Sequence, residues 1–205
     1  MKRLPLPLSS MVTVVAATYT IAFTLGGQAF APSGLPELQA VPRYEREAFG
    51  KGWADLDGDC QDTRNEVLAR DLDGAHLDAD GCKVLAGTLQ DPYTGHTIAF
   101  RRGKDTSDDV QIDHVVPLAY AWRGGAWRWS DEQRRAFAND ETNLLAVDGP
   151  TNSDKEDAGP AEWLPPNPDS HCDYAATWTD VLRRYELAPK PEDAAILQRL
   201  TEECS

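Results

Sequence analysis

Four polar side chains in the middle of the chain could together hydrolyse a phosphodiester. Asp113 and His114 follow the apolar residues 110–112, and Asn143 and Asn152 come later. The reaction needs a deprotonated water and positive charge beside the phosphate and the leaving oxygen, which an imidazole and a divalent cation can supply. A carboxylate and an amide oxygen suit magnesium, manganese or calcium rather than zinc. The residues therefore indicate a metal-dependent hydrolytic site.

Short strands are expected to position these residues. Residues 110–112 predict a strand that leads into Asp113 and His114, and residues 144–147 predict another that follows Asn143. Adjacent side chains of a strand point in opposite directions. Asp113 and His114 should therefore serve different partners, one the metal and the other the attacking water.

The order of these motifs resembles that of the HNH endonucleases of the ββα-metal fold, especially their secreted, disulfide-containing members. The resemblance is carried by Asp113-His114-Val-Val-Pro-Leu, by Asn143-Leu-Leu-Ala-Val and by Asn152-Ser-Asp-Lys155. Residues 62–66, 91–95 and 161–166 also resemble segments of those secreted proteins. The implied fold is α+β, a ββα-metal core with an N-terminal helix and hairpin region and with C-terminal helices.

The resemblance also implies a role for each residue. Asp113 and Asn152 would hold one divalent ion, magnesium or manganese, and His114 would be the general base. Asn143 would hold the connecting loop through side-chain hydrogen bonds, and Lys155 would approach the scissile phosphate. The implied products carry a 5′-phosphate and a 3′-hydroxyl. Residues 124–140 separate the two halves of the motif, which is a departure from the family pattern.

The N-terminal residues have the pattern of a secretory signal peptide. Lys2 and Arg3 precede an apolar stretch at about residues 11–25, and Ala29 and Ala31 flank the expected cleavage site. The stretch is short and interrupted by threonine, which disfavours the alternative of a retained membrane anchor. We therefore predict a signal peptide at 1–31, an extended leader at 32–43 and a single nuclease domain at 44–205. The protein is expected to be secreted, extracellular and without stable membrane association after cleavage.

Four cysteines in an exported chain predict two disulfides. Three pairings are possible, and we favour Cys60–Cys82 with Cys172–Cys204 because each closes a loop within one half of the chain. Zinc binding is the alternative. No two of the cysteines have the close spacing of a zinc knuckle.

The remaining elements are predicted from periodicity, capping and turn residues. Residues 63–72 should form a helix capped by Asp62 or Thr63, and residues 82–87 and 97–100 a hairpin joined through a turn at 91–95. Ser130 and Gln133 have the spacing of a capping box, which predicts a short helix at 130–138. Residues 174–185 and 192–200 predict two amphipathic helices.

The acidic turn at 55–66 resembles a calcium-binding loop. Asp55, Asp57, Asp59 and Glu66 are among the oxygen-bearing residues at positions 1, 3, 5, 7, 9 and 12. Cys60 occupies position 6, where such a loop needs glycine. The turn is either a structural calcium site or a solvated turn held by Cys60. The alternative function is accordingly a non-catalytic, calcium-stabilised extracellular binding module; no motif supports a hydrolase with a serine or cysteine nucleophile.

The chain is strongly acidic, which at first sight disfavours nucleic-acid binding. The net charge is −14, and loss of Lys2 and Arg3 with the signal peptide would make it −16. Residues 101–135 carry seven basic and six acidic residues, so the central motif lies in the one stretch without acidic bias. Affinity for phosphates rests on neutralising them. We therefore expect a monomeric enzyme that binds DNA, and RNA as a second candidate substrate, weakly and without sequence specificity.

Overall fold

The computed structural model describes residues 40–104 and 106–205. The predicted signal peptide and most of the predicted leader lie outside the described residues. Residues 40–43 form no regular secondary structure and are exposed. In these described ranges, none of the helices combines the length and apolar character that a membrane span requires.

The N-terminal half consists of one helix and a three-stranded antiparallel sheet in the order β1-β2-β3. Its elements are α1 (Thr63–Asp71), β1 (Leu72–Leu77), β2 (Val84–Gln90) and β3 (Thr97–Arg101). The sequence predicted α1, β2 and β3 but missed β1 and extended α1 to Leu72. Strand β1 escapes prediction because it is mostly exposed and contains Gly74 with a positive φ of 61°, so it lacks the alternation of a half-buried strand.

The central unit has two antiparallel strands and one helix. Strands β4 (Val110–His114) and β5 (Leu144–Asp148) pair with Asp113 opposite Leu145, and α4 (Gly149–Lys155) packs on both strands. The expected ββα arrangement is therefore present.

Two further helices, α2 (Leu118–Arg123) and α3 (Asp131–Ala138), lie between β4 and β5 in the chain. The capping box of Ser130 and Gln133 forms at the start of α3, as predicted. Helix α2 was not predicted. Pro117 was interpreted only as a limit to strand pairing, whereas it precedes the first turn of this helix.

The C-terminal helices α5 (His171–Arg184) and α6 (Pro191–Glu203) confirm both predicted helices: α5 begins three residues earlier and ends one residue earlier than predicted, and α6 is longer at both ends. Disulfides join Cys60 to Cys82 and Cys172 to Cys204, which confirms the favoured pairing and excludes zinc binding by these thiols. The first links the acidic turn to the residues before β2, and the second clasps α5 to α6. The fold is α+β and disulfide-stapled, as expected.

Strands β4 and β5 contribute to both hydrophobic clusters of the domain. Val110 and Ile112 of β4 pack with α1 and the three-stranded sheet. Val147 of β5 packs in the larger cluster, which contains the fully buried Trp178 of α5. Burial on both sides holds the two strands rigidly, and rigid strands are what a site needs to keep its side chains in place.

Candidate active site

The face of β4 that meets α4 carries the polar residues of the site. Gln111 and Asp113 are two residues apart, so they lie on one face of the strand. Asn152 and Lys155 are three residues apart and lie on one face of α4. Asn152 Nδ2 donates to Gln111 Oε1 at 2.8 Å, and Lys155 Nζ donates to Asp113 Oδ1 at 3.0 Å. Strand and helix are thus joined by two side-chain contacts.

The start of α4 is fixed by a cap and a close approach. The Asp148 carboxylate accepts hydrogen bonds from the backbone N–H and the hydroxyl of Thr151, which caps the helix. A Cβ at Gly149 would lie 1.9 Å from the carbonyl oxygen of Asp108, so only glycine fits there. Asn152 is therefore presented from a helix whose position is tightly defined.

Asp113 is buried and has two partners. Lys155 Nζ lies 2.9 Å from its Oδ2, and Tyr93 donates its hydroxyl to the same oxygen at 2.5 Å. Lys155 is 1% exposed and also donates to the carbonyl of His114 at 3.0 Å. Burial lowers the pKa of Lys155 below its ordinary value, against the opposing attraction of Asp113.

The sequence hypothesis that Lys155 approaches the scissile phosphate does not match this placement. Its ammonium is enclosed and directed at Asp113, and the side chain is 0% exposed. The buried Asp113 carboxylate and the buried Lys155 ammonium each need an opposite charge nearby. This need explains why the Lys155 side chain turns inward. Lys155 thus supports Asp113 in this arrangement.

His114 is held in the orientation of a base. Its Nε2 lies 2.8 Å from the carbonyl oxygen of Ala138, and a carbonyl only accepts, so Nε2 carries the proton and Nδ1 has the lone pair. The ring of Trp53 stacks on the imidazole, with centroids 5.5 Å apart and planes 11° apart. Burial lowers the pKa of His114 to about 4, which keeps the imidazole neutral at neutral pH.

Asn143 has the structural role that the family resemblance implied. It is 0% exposed, its Oδ1 accepts from the backbone N–H of Val116 at 2.8 Å, and its Nδ2 donates to the carbonyl of Val116 at 3.1 Å. The segment after the Asp-His pair is thereby pinned to the residue before β5.

Asp113, His114 and Asn152 line one open cleft of about 480 Å³. The amide nitrogen of Asn152 donates to Gln111, and among the described residues no hydrogen bond engages its Oδ1. One carboxylate and one amide oxygen form a donor set that fits a hard divalent cation. The structure therefore brings together the two residues expected to hold metal and the residue expected to activate water.

Four further residues of the site were missed by the sequence analysis. Tyr93 lies in the turn at 91–95, where only its turn-forming neighbours were recognised. Arg46 and Tyr44 line the cleft from the N-terminal part of the domain, and Trp53 covers His114. The positions of these residues in the sequence do not indicate that they lie in the same site as residues 113–114.

The acidic turn lies outside this cleft. The carboxylates of Asp55, Asp57 and Asp59 offer oxygens within 4.8 Å of one another, and all three side chains are exposed. They accept hydrogen bonds from backbone N–H groups of the same turn. Glu66 is not a member of this group, although burial and neighbouring carboxylates raise its pKa. Three of the four residues proposed for calcium therefore come together.

Comparison with known proteins assigns the chain to a family. Residues 62–189 match the family described as the C-terminal domain of GmrSD restriction endonucleases, and this range contains Asp113, His114, Asn143, Asn152 and Lys155. An uncharacterized secreted protein of Arthroderma benhamiae is 37% identical over 177 residues, which span 84% of this chain and 82% of that protein. No solved structure matches. The match is to a nuclease-related domain, in agreement with the resemblance to HNH endonucleases, and the chain belongs to the family of GmrSD restriction endonuclease C-terminal domains.

Proposed function

We propose that the protein is a secreted, metal-dependent endonuclease that hydrolyses phosphodiester bonds of DNA, with RNA as a second candidate substrate. The observation that carries the proposal is the convergence of Asp113, His114 and Asn152 on one cleft, from a strand and a helix of the ββα unit. Membership of a restriction endonuclease family supports the same reaction class. The expected products carry a 5′-phosphate and a 3′-hydroxyl.

His114 acts as the general base. The hydrogen bond to Ala138 fixes the tautomer with Nδ1 unprotonated, so Nδ1 takes a proton from the attacking water. Trp53 stacks on the ring and restrains its rotation. The low pKa keeps the base unprotonated in neutral and mildly acidic solution. Asn143 fixes the following residues, and with them the end of β4.

Asp113 and Asn152 would hold one magnesium or manganese ion. When bound, such an ion supplies positive charge to the phosphate and the leaving oxygen. Tyr93 and Lys155 orient the Asp113 carboxylate through hydrogen bonds, and Gln111 orients the amide of Asn152. Partners of this kind fix the direction of ligands and thereby affect metal affinity.

Secretion and weak nucleic-acid binding are part of the proposal. The relative from Arthroderma benhamiae is described as secreted, and two disulfides suit an oxidising compartment outside the cell. The strongly negative net charge disfavours tight binding to a polyanion. We therefore expect salt-sensitive, largely non-specific cleavage by a monomer.

The test is cleavage of plasmid DNA by the purified protein with magnesium or manganese. We expect His114→Ala to lose activity and EDTA to abolish it. His96→Ala is the matched control, because His96 is exposed and lies outside the cleft. Activity of His114→Ala equal to that of His96→Ala would reject the mechanism. A panel of single-stranded DNA, duplex DNA and RNA would then define the substrate.

The alternative function, a calcium-stabilised binding module without catalysis, draws support from the grouping of Asp55, Asp57 and Asp59. It gives no reason for a half-buried His114 to lie next to the buried Asp113 in an open cleft, so the nuclease proposal accounts for more of the structure. Absence of cleavage together with strong stabilisation by calcium would favour the alternative.

A further inference from the structure

The cleft contains acidic side chains as well as the proposed catalytic residues. Glu156 and Asp157 follow α4 and line it, and Asp157 is paired with Arg123 at 2.5 Å. Asp113 is already paired with Lys155. A phosphate that enters this cleft therefore meets more negative than positive charge unless a cation is available to it.

Arg46 supplies such a cation. Among the described residues that line the cleft, it is the only arginine or lysine. It is exposed, and none of the ion pairs found among the described residues includes it. Arg46 lines the same cleft as His114, the proposed base. The guanidinium is thus near the proposed base and is not engaged by an acid in the described part of the chain.

The backbone of Arg46 is firmly anchored although its side chain is exposed. Arg46 begins a 3-10 turn, Arg46–Phe49, which ends at a phenylalanine that is 1% exposed. The ring of Phe49 packs against Phe137 and Trp122, with centroids 6.1 Å apart in each case. Arg134 Nε donates to the carbonyl of Ala48 at 2.9 Å. The turn is therefore fixed to α2 and α3, and it presents Arg46 at a defined position beside the cleft.

We infer that Arg46 binds the phosphate of the substrate, so that a segment preceding the family-matched residues 62–189 completes the active site. A guanidinium suits this task because it binds phosphate oxygens with two parallel hydrogen bonds. Lys155 is enclosed against Asp113 and does not offer its charge to the cleft. The inference rests on the proposed nuclease function.

The test compares Arg46→Gln with Arg43→Gln. Both variants remove one exposed cation, but Arg43 does not line the cleft. Loss of a charge-assisted contact should lower kcat/KM for plasmid cleavage about ten- to hundredfold in Arg46→Gln. The Arg43→Gln control should stay within about twofold of the wild type, because an isolated surface charge has little effect. Arg46→Lys, which keeps the charge but not the fork, should lie between the wild type and Arg46→Gln.

A binding measurement gives an independent readout. In the His114→Ala background, a short DNA duplex can be titrated at several salt concentrations without cleavage. Adding Arg46→Gln should reduce the slope of log K against log salt by about one, since one fewer phosphate is neutralised. Adding Arg43→Gln should leave the slope unchanged.

The outcomes separate the two proposals. If His114→Ala cuts DNA like the wild type, the proposed function is wrong. If His114→Ala is inactive while Arg46→Gln equals Arg43→Gln in both rate and salt slope, the assignment of Arg46 is wrong and the nuclease proposal stands. Unfolding midpoints check the fold of each variant. If Arg46→Gln does not fold, Arg46→Lys provides the test. A kcat/KM for Arg46→Lys equal to that of the wild type would contradict a phosphate contact through two parallel hydrogen bonds.

Discussion

Replacement of Lys155 by methionine should destabilise the protein through Asp113. Methionine keeps most of the volume of the side chain but has no charge. The change removes the ammonium that lies 2.9 Å from Asp113 Oδ2 and 3.0 Å from the carbonyl of His114. The Asp113 carboxylate is only 6% exposed and would retain Tyr93 as its remaining protein donor. A buried negative charge is then left without its counterion.

The size of the effect follows from this burial. Breaking a buried ion pair by removing one partner costs about 3–5 kcal/mol, because the other charge stays desolvated. For a domain of this length, each kcal/mol lowers Tm by about 2–4 °C. The expected fall in Tm for Lys155→Met in EDTA is therefore roughly 6–20 °C.

The assay is urea or thermal denaturation in EDTA, with Lys190→Met as control. Lys190 pairs with Glu162 at 2.8 Å, but both side chains are substantially exposed, 35% and 55%. An exposed pair is worth about 0–1 kcal/mol, so the control should change stability little. Asp113→Asn combined with Lys155→Met should be less destabilising than the sum of the single changes, with a coupling of about 2 kcal/mol.

Two results would refute this reasoning. Equal stability losses for Lys155→Met and Lys190→Met would show that the buried pair is unimportant. Additive single changes would show that Asp113 and Lys155 are not coupled. Magnesium adds a test of the metal site, since it should stabilise Lys155→Met more than the wild type if the ion and the ammonium share Asp113. Equal stabilisation would count against Asp113 as a metal ligand.

Three further predictions concern pH, calcium and the C-terminal disulfide. The folded-state pKa of His114, about 4, lies below its ordinary value of 6.5. Its contribution to the free energy of unfolding in EDTA should therefore be fully present above pH 6.5 and be lost as the pH falls towards 4. The loss should reach about 3 kcal/mol and be absent in His114→Gln, as monitored by urea denaturation at each pH. Calcium should raise the Tm if the acidic turn binds it, and Asp57→Ala should remove that shift while plasmid cleavage continues; an equal shift in the variant would exclude the turn as the site. Replacing Cys172 and Cys204 by alanine opens a loop with a sequence separation of 32, which should cost about 3–4 kcal/mol in denaturation experiments. Cleavage at a temperature where that variant is folded should be unchanged, since the disulfide clasps α5 to α6 and does not line the cleft; a large loss of activity would show that these helices help to shape the site.

Local patterns predicted much of the fold because they depend on contacts between near neighbours in the chain. The two residues of the capping box, Ser130 and Gln133, are three positions apart, and the hairpin of β2 and β3 closes through one turn. Strand β1 and helix α2 were missed because local patterns do not report contacts with distant parts of the chain. Their residues do not show the periodicity of an isolated element, and packing against neighbouring segments decides their conformation.

The sequence by itself indicated the candidate side chains, since Asp113, His114 and Asn152 have the residue types that the proposed reaction needs and the order in which the resembled family carries them. It also sufficed to choose the pairing of the four cysteines. Only the tertiary structure decided that Lys155 turns inward to Asp113, 42 residues away, and that Tyr93 donates to the same carboxylate from 20 residues away. The cost of burying a charge depends on which groups surround it once the chain is folded, and no local spacing contains that information.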